Sequence, residues 1–296
     1  MIRIGVDIGG TKMEISALDE SGVELFRRRR DAPSGTYPDA IRAVADAVLD
    51  AERTAGTPCS VGIGTPGAVS ARTGRLKNAY ASVLNGMPVK PDLERLLARE
   101  IRFANDANCF ALSEAADGAA AGARVVFGAI LGTGVGGGVI VDGRALEGAN
   151  AICGEWGHNS LPWPAADELP GPRCACGRNG CIEAFLSGPG LARDHQLATG
   201  ASLEPSQIVA RAEGDRGCEA TLARYEERLA RALASVINLL DPDVIVLGGG
   251  VSNAERLYRN VPAGWGRYVY SDSVATPLVK AKHGDASGVR GAARLW

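Results

Sequence analysis

Three cysteines and one histidine are the residues whose types and spacing most clearly indicate chemistry. Cys174, Cys176 and Cys181 fall within eight residues with glycines between them, and His158 lies 16 positions before Cys174. Three thiolates and one imidazole form a closed tetrahedral Zn²⁺ site, which is typical of a structural rather than a catalytic metal. The alternative is a set of reduced cysteines packed in a loop, because cysteine is also a small buried hydrophobe. The spacing favours zinc.

Two turns that contain glycine and threonine follow apolar strand-like runs, at Asp7–Lys12 and at Gly132–Gly137, and a second apolar run follows each turn. Exposed backbone N–H groups and a threonine hydroxyl suit a phosphate cradle, although tight hairpins that bind nothing are the alternative. The repetition, together with Gly248-Gly249-Gly250 after another apolar strand, favours a nucleotide. Asp7 is predicted to hold Mg²⁺ through water, because Mg²⁺ binds few carboxylates and retains waters. The residues predicted to hold the nucleotide are Asp7, Gly9, Gly10, Thr11, Lys12, Gly132, Thr133, Gly134, Gly137 and Gly249.

The glycine patterns argue against other nucleotide-binding classes. Gly62–Gly67 and Gly132–Gly137 both match Gly-x-Gly-x-x-Gly, but a dinucleotide site requires a helix that starts at the motif. Gly137 is instead followed by β-branched residues, which predict a strand. The absence of a Gly-Lys dipeptide excludes the P-loop. A nicotinamide oxidoreductase is therefore disfavoured.

Carboxylates supply the candidate acid–base chemistry. Asp106, in Asn105-Asp106-Ala107-Asn108, lies where a predicted strand meets a predicted helix. Asp106 either caps that helix or acts as a general base that takes a proton from a hydroxyl attacking a γ-phosphate. Glu155 and Glu183 flank the cysteine cluster, where a bound metal would fix both carboxylates as a polyol-binding site requires.

The elements that must position these residues alternate between strands and helices, which predicts an α/β fold with helices on both sheet faces. The predicted domains are residues 1–118 and 119–296, with the final helix, near 288–295, as a candidate for return to the first domain. The first would carry the Asp7 turn and Asp106, and the second the Gly132 turn and the cysteine cluster.

Composition narrows the class of protein and the partners. With 46% hydrophobic and 22% charged residues the 296-residue chain is globular, and its formal net charge of −2 gives no basic excess for nucleic acid. The uncharged, apolar stretch 125–141 contains six glycines and is shorter than the about 20 apolar residues that a membrane helix needs. Seven cysteines without a visible secretion signal predict a reducing, cytoplasmic setting and no membrane partner.

Taken together, these motifs resemble the ROK family of sugar kinases and repressors. The resemblance extends over essentially the whole chain and depends on five motifs in family order: Asp7-Ile8-Gly9-Gly10-Thr11-Lys12, Asn105-Asp106-Ala107-Asn108, Gly132-Thr133-Gly134, Glu155-x-Gly157-His158 and Cys174-x-Cys176-Gly177-x-x-Gly180-Cys181-x-Glu183. Family repressors carry an N-terminal helix-turn-helix segment, for which no room precedes the nucleotide motif at residue 5, so the resemblance favours an enzyme.

The resemblance implies an actin-like, ribonuclease-H-like ATPase fold of two lobes with ATP in a central cleft and a zinc-stapled loop. It implies Asp106 as the base, zinc on His158, Cys174, Cys176 and Cys181, and His158 as the link between zinc and substrate. The residues that it implies for sugar binding are Gly67, Asn105, Asp106, Glu155, His158 and Glu183.

The choice of sugar rests on the resemblance alone. Leu76-Lys77-Asn78 and Leu161-Pro162-Trp163 look most like bacterial fructokinases, also called manno(fructo)kinases, whereas residues 105–115 look equally like bacterial N-acetylglucosamine kinase. The expectation is a kinase that converts fructose and ATP to fructose 6-phosphate and ADP with Mg²⁺, with mannose or glucose as further substrates, and that forms a homodimer. The alternatives are N-acetylglucosamine kinase and a sugar sensor without catalysis.

Overall fold

The structure is a computed structural model that describes residues 1–79 and 82–296. Contacts group the chain into two compact units. Unit 1 comprises Met1–Ala121, Gly138–Cys153 and Lys282–Trp296, and unit 2 comprises Gly122–Gly137 and Gly154–Ala281. The predicted domains 1–118 and 119–296 stay a prediction.

A five-stranded sheet forms the centre of unit 1, in the order β3-β2-β1-β4-β7. β1 pairs antiparallel with β2 and parallel with β4, which pairs parallel with β7. Because parallel strands end at one edge of a sheet, the last residues of β1, β4 and β7 lie side by side, and a site at this edge is typical of α/β folds. The five strands are β1 (Arg3–Ile8), β2 (Lys12–Leu18), β3 (Glu24–Asp31), β4 (Ser60–Thr65) and β7 (Arg102–Asn105).

Helices cover both faces of this sheet. Ile4 and Val6 of β1 lie in one apolar core with Val44 of α1, and Gly5, which points to the opposite face, contacts α9. A Cβ atom at Gly5 would lie 2.0 Å from Val289 O, so α9 can approach the sheet this closely only over glycine. The remaining elements of unit 1 are α1 (Tyr37–Ala55), β5 (Ala68–Val69), β6 (Leu76–Lys77), α2 (Val89–Leu97), α3 (Asp106–Ala116) and α9 (Ser287–Ala293).

The second sheet has the order β10-β9-β8-β11-β12, and the boundary between the units falls within β9, after Gly137. β11 pairs parallel with β8 and β12 and is buried throughout, as its uninterrupted apolar sequence predicts. These strands are β8 (Val125–Leu131), β9 (Val135–Val141), β10 (Arg144–Ala145), β11 (Val244–Gly248) and β12 (Leu278–Lys280). The helices of unit 2 are α4 (Ile182–Leu186), α5 (Gly188–Thr199), α6 (Pro205–Arg211), α7 (Arg216–Leu240) and α8 (Leu257–Trp265).

α7 is 25 residues long and begins at Arg216, because Asp215 caps it by accepting from the N–H groups of Gly217 and Cys218. Its buried face includes the charged residues Arg228 and Arg231 as well as aliphatic ones. Across residues 1–79 and 82–296, none of the helices is both long enough and apolar enough to cross a membrane.

The α/β class and both predicted strand–turn–strand segments are confirmed. β9 begins at Val135, so its glycine-rich first half is part of the strand although glycine has low strand propensity. α2 ends at Leu97, because Ala98 takes a left-handed conformation and closes the helix.

Candidate functional site

The carboxylates of Asp7, Glu14 and Asp106 come together at the end of β1 in unit 1. Asp7 lies opposite Glu14 in the β1–β2 pair. Burial raises the pKa of Asp7 to about 7, with further increases from Asp106 and then Glu14 and a decrease from Lys12. A cation at this position would relieve the repulsion, so the donor set fits the predicted Mg²⁺.

The turn after Asp7 is tight, and its backbone is accessible to solvent. Gly9 N donates to Lys12 O at 2.9 Å and closes the turn, while Gly10 and Thr11 are exposed. Lys12 Nζ lies 3.3 Å from Glu14 Oε1 and 3.6 Å from Asp285 Oδ2. The first predicted phosphate turn and a lysine ammonium group therefore lie beside Asp7.

α3 begins directly at the end of β7, and Asn105 rather than Asp106 is its N-cap. Asn105 Oδ1 accepts from Ala107 N at 2.9 Å, and Asn105 Nδ2 donates to Gly67 O at 3.1 Å. Asp106 is the first helical residue, and its Oδ1 also accepts from Ala107 N, at 2.8 Å. The capping function considered for Asp106 is thus performed mainly by its neighbour, and the structure brings Gly67, Asn105 and Asp106 together.

Unit 2 contains the second turn, Gly132-Thr133-Gly134, between β8 and β9. Gly132 N donates to Gly134 O at 3.0 Å, and Gly132 O accepts from Gly188 N, at the start of α5, at 2.8 Å. Gly249, which follows β11, has a φ of 82°, and a Cβ atom there would lie 2.5 Å from Leu131 O. The glycine-rich end of β11 therefore lies directly against the strand that leads into the turn.

A cavity of about 730 Å³ opens beside this turn in unit 2. Its volume falls within the range of about 300–1,000 Å³ that is common for small-molecule sites. The twelve-residue helix α5 begins at this cavity, so the positive end of its dipole favours an anion there. The wall includes Thr133, Gly188, Arg193, Gln196, Glu204 and Val251.

The four predicted zinc ligands form one cluster in unit 2. The candidate ligand atoms of His158, Cys174, Cys176 and Cys181 all lie within 4.8 Å of one another. Cys174 Sγ lies 3.6 Å from His158 Nδ1, and the sulfurs of Cys176 and Cys181 are 3.6 Å apart. Zn–S bonds of about 2.3 Å give tetrahedral S···S edges of about 3.7 Å, so both the donor set and its spacing fit Zn²⁺.

Glu183 connects this cluster with the second turn. Its Oε1 lies 3.5 Å from Cys174 Sγ, and its Oε2 accepts from Val135 N at 3.0 Å. Glu155 precedes the short 3₁₀ segment Trp156–His158, and His158 is the last residue of that segment. Trp156 fixes the segment by donating from Nε1 to Gly136 O at 2.8 Å. The predicted sugar ligands of unit 2, which are Glu155, His158 and Glu183, therefore lie in segments held by the cluster or by the start of β9.

A family model described as "ROK family" matches residues 3–296. The chain belongs to the ROK family. It is similar to the N-acetyl-D-glucosamine kinase of Yersinia pseudotuberculosis serotype O:1b, strain IP 31758, with 39% identity over 296 residues that cover 98% of this chain and 97% of the relative. The chain is an ATP-dependent ROK-family sugar kinase.

Two solved ROK structures share the fold. The ROK hexokinase from Thermus thermophilus superimposes with a TM-score of 0.87 at 33% identity, covering 99% of this chain and 97% of that one. A ROK glucokinase from Streptomyces griseus, in complex with glucose and AMPPNP, gives a TM-score of 0.80 at 28% identity and covers 100% and 99% of the two chains. The actin-like sugar kinase fold expected from the resemblance is thus confirmed.

The predicted site residues divide between the units. Unit 1 holds Asp7, Gly9, Gly10, Thr11, Lys12, Gly67, Asn105 and Asp106, and unit 2 holds the remainder of the predicted set. Gly137 is buried, and a Cβ atom there would lie 2.7 Å from Trp156 Cδ1, so its visible function is packing; its predicted contact with nucleotide stays a prediction.

The predicted site does not include the walls that α5 and α6 contribute to the large cavity of unit 2. The start of α5 could have been predicted from Ser187-Gly188-Pro189, because serine as N-cap followed by proline in the first turn is typical of a helix start. This helix start faces the cavity. Gln196 and Glu204 carry no such local pattern, since only the packing of the two helices brings them to one wall.

Proposed function

We propose that this ROK-family kinase transfers the γ-phosphoryl group of ATP to the 6-hydroxyl of N-acetyl-D-glucosamine. The observation that carries the proposal is the 39% identity to a kinase of this sugar over nearly the full length of both chains. The sequence-based expectation of fructose finds no support among these relatives, whereas its stated alternative does.

Asp106 is the proposed general base. Its carboxylate takes the proton of the sugar 6-hydroxyl while that oxygen attacks the γ-phosphorus, the bond to the β-phosphate oxygen breaks, and ADP leaves. The position of Asp106 at the start of α3, between Asn105 and the first turn of the helix, holds the carboxylate beside Asp7.

The two turns and the start of α5 are proposed to hold the nucleotide. The N–H groups of Gly9, Gly10 and Thr11 in unit 1, and those of the Gly132 turn in unit 2, suit phosphate oxygens. Lys12 adds a positive charge to the first turn. Asp7 would hold Mg²⁺ through water, and that ion neutralises charge on the phosphates when bound.

Sugar hydroxyls are proposed to contact Gly67, Asn105 and Asp106 in unit 1 and Glu155, His158 and Glu183 in unit 2. His158, Cys174, Cys176 and Cys181 would hold Zn²⁺, which orders the loop that carries two of these ligands. The side chains of Glu183 and His158 both contact Cys174, so the cluster and the sugar ligands are one connected structure.

Comparison of kcat/KM for N-acetylglucosamine, fructose, mannose and glucose, measured by coupled ADP release, tests the proposal. We expect N-acetylglucosamine to exceed each other sugar by about tenfold or more, the range that a few specific contacts provide. A preference for fructose would restore the first expectation. Binding of N-acetylglucosamine without ADP release would contradict the proposed substrate.

A further inference from the structure

A second, smaller cavity lies in unit 1, where α3 begins. Its volume is about 60 Å³, enough for a group of a few non-hydrogen atoms, since a single water needs about 10–15 Å³ of such space. The apolar part of its wall comprises Ala68, Val69, Phe103 and Ala151. A cavity of this size and lining suits one small substituent rather than a whole sugar.

The polar part of the wall contains an unsatisfied amide. Asn108 is only 6% exposed, and its Oδ1 is buried without a hydrogen-bond partner in the part of the chain that the structure describes. Buried amide oxygens in folded proteins nearly always accept a hydrogen bond, so this atom indicates a missing donor. Because Asn108 also lines the cavity, a donor placed there is within its reach.

The cavity lies next to two proposed sugar ligands. Asn105 lines it, and the bond from Asn105 Nδ2 to Gly67 O holds the following residues, Ala68 and Val69, against the start of α3. A sugar whose hydroxyls contact Gly67 and Asn105 would therefore place an adjacent substituent near this cavity.

We propose that this cavity receives the acetamido group of a 2-acetamido-2-deoxy sugar, with the amide N–H donating to Asn108 Oδ1 and the methyl group packed on Ala68 and Val69. The inference rests on the proposed function and deepens it by naming the residues that distinguish an acetamido sugar from its hydroxyl counterpart. Glucose places a hydroxyl where N-acetylglucosamine has this group, so it leaves the apolar wall uncovered.

Substitution of Ala151 by leucine, which fills the cavity, is the direct test. We expect A151L to lower kcat/KM for N-acetylglucosamine by about tenfold or more and that for glucose by less than about twofold, because added methylenes exclude only the larger substituent. Ala149→Leu is the matched control, since Ala149 is exposed two residues away and does not line the cavity. Asn108→Leu is the second variant, and it should show the same selective loss.

Equal losses for the two sugars in both variants would overturn the assignment and give Asn108 a general function in sugar or water binding. Sugar dissociation constants measured by calorimetry on the unaltered chain and on A151L separate this result from failure of the proposed function. If the unaltered chain binds N-acetylglucosamine without phosphorylating it, the kinase proposal fails, while a selective loss of affinity in A151L still supports the cavity. An unaltered chain that does not bind N-acetylglucosamine contradicts both.

Discussion

The carboxylate of Asp7 rests directly on Gly288, the second residue of α9. A Cβ atom at Gly288 would lie 2.4 Å from Asp7 Oδ2, closer than non-bonded heavy atoms approach. The two residues are 281 positions apart in the sequence, and the contact makes the last helix of the chain part of the wall around the carboxylate group. Any side chain at position 288 must displace either Asp7 or α9.

Gly288→Ala is therefore expected to lower kcat/KM for ATP by about tenfold or more, because it moves the group proposed to hold Mg²⁺. Alanine is favoured over glycine in a helix by about 1 kcal/mol, so the substitution should not by itself destabilise α9. A loss of activity would therefore come from the contact with Asp7. Gly266→Ala is the control, since a Cβ atom there meets nothing within 4 Å. Wild-type kinetics in Gly288→Ala would show that Asp7 does not need this position.

Glu114 joins the end of α3 to the start of α9. This carboxylate is fully buried, and it accepts from Ala119 N at 2.8 Å, Lys282 N at 2.9 Å, His283 N at 3.0 Å and Ser287 Oγ at 2.8 Å. α3 carries Asp106 and α9 packs on Asp7, so one side chain holds the helices that support both carboxylates.

Glu114→Ala is expected to lower the free energy of unfolding by about 3 kcal/mol or more, because it leaves several buried donors without an acceptor. Urea unfolding measures the change. Exposed Glu100→Ala on the same unit serves as the control and should change the free energy by less than about 0.5 kcal/mol. A loss no larger than that of the control would mean that water replaces the carboxylate.

Glu168 should make the free energy of unfolding depend on pH. Burial raises the pKa of this carboxyl, but hydrogen bonds from Arg231, Arg228 and Ala165 N lower it to about 2, below its usual 4.5. A lowered pKa in the folded state stabilises the fold above about pH 4.5, by about 3 kcal/mol, and the contribution disappears as pH falls toward 2.

The difference in unfolding free energy between the unaltered chain and Glu168→Gln should therefore narrow by about 1 kcal/mol between about pH 6 and pH 3.5. Chemical denaturation of both chains at each pH measures this difference. Glu227→Gln, a more exposed carboxylate on α7, is the comparison. A difference independent of pH would contradict the assigned ion pairs.

The cysteine cluster predicts about one zinc ion per chain. Cys176→Ser should abolish zinc, measured by elemental analysis, and weaken sugar binding by about tenfold, because the loop no longer fixes Glu183 and His158. Cys153→Ser, which changes a thiol outside the cluster, should keep both. Unchanged sugar affinity in a zinc-free Cys176→Ser protein would refute the coupling between metal and substrate.

Local patterns made part of this site predictable. The two glycine turns and the cysteine cluster are each encoded within a dozen or so residues, where type and spacing nearly determine the geometry. Asp106 was a candidate because it lies at a strand-to-helix junction, which is a local feature, although Asn105 proved to be the cap.

Other parts of the site depend on contacts between distant segments. Nothing near Glu114 in the sequence shows that its acceptors will meet the N–H groups of Lys282 and His283, and nothing near Gly288 shows that Asp7 will lie against it. The buried amide of Asn108 is visible only once α3, β5 and the loop around Ala151 are packed together. The preferred sugar could not be derived for the same reason.

The variant Asp106→Asn tests most directly whether Asp106 takes the proton from the sugar hydroxyl. Asparagine retains an oxygen that can accept from Ala107 N, as Asp106 Oδ1 does, so the start of α3 should persist. Single-turnover phosphorylation of N-acetylglucosamine by ATP should slow by about 10²-fold or more while calorimetric sugar affinity stays within about twofold. A phosphorylation rate within about threefold of the unaltered chain, with the same sugar affinity, would contradict the account.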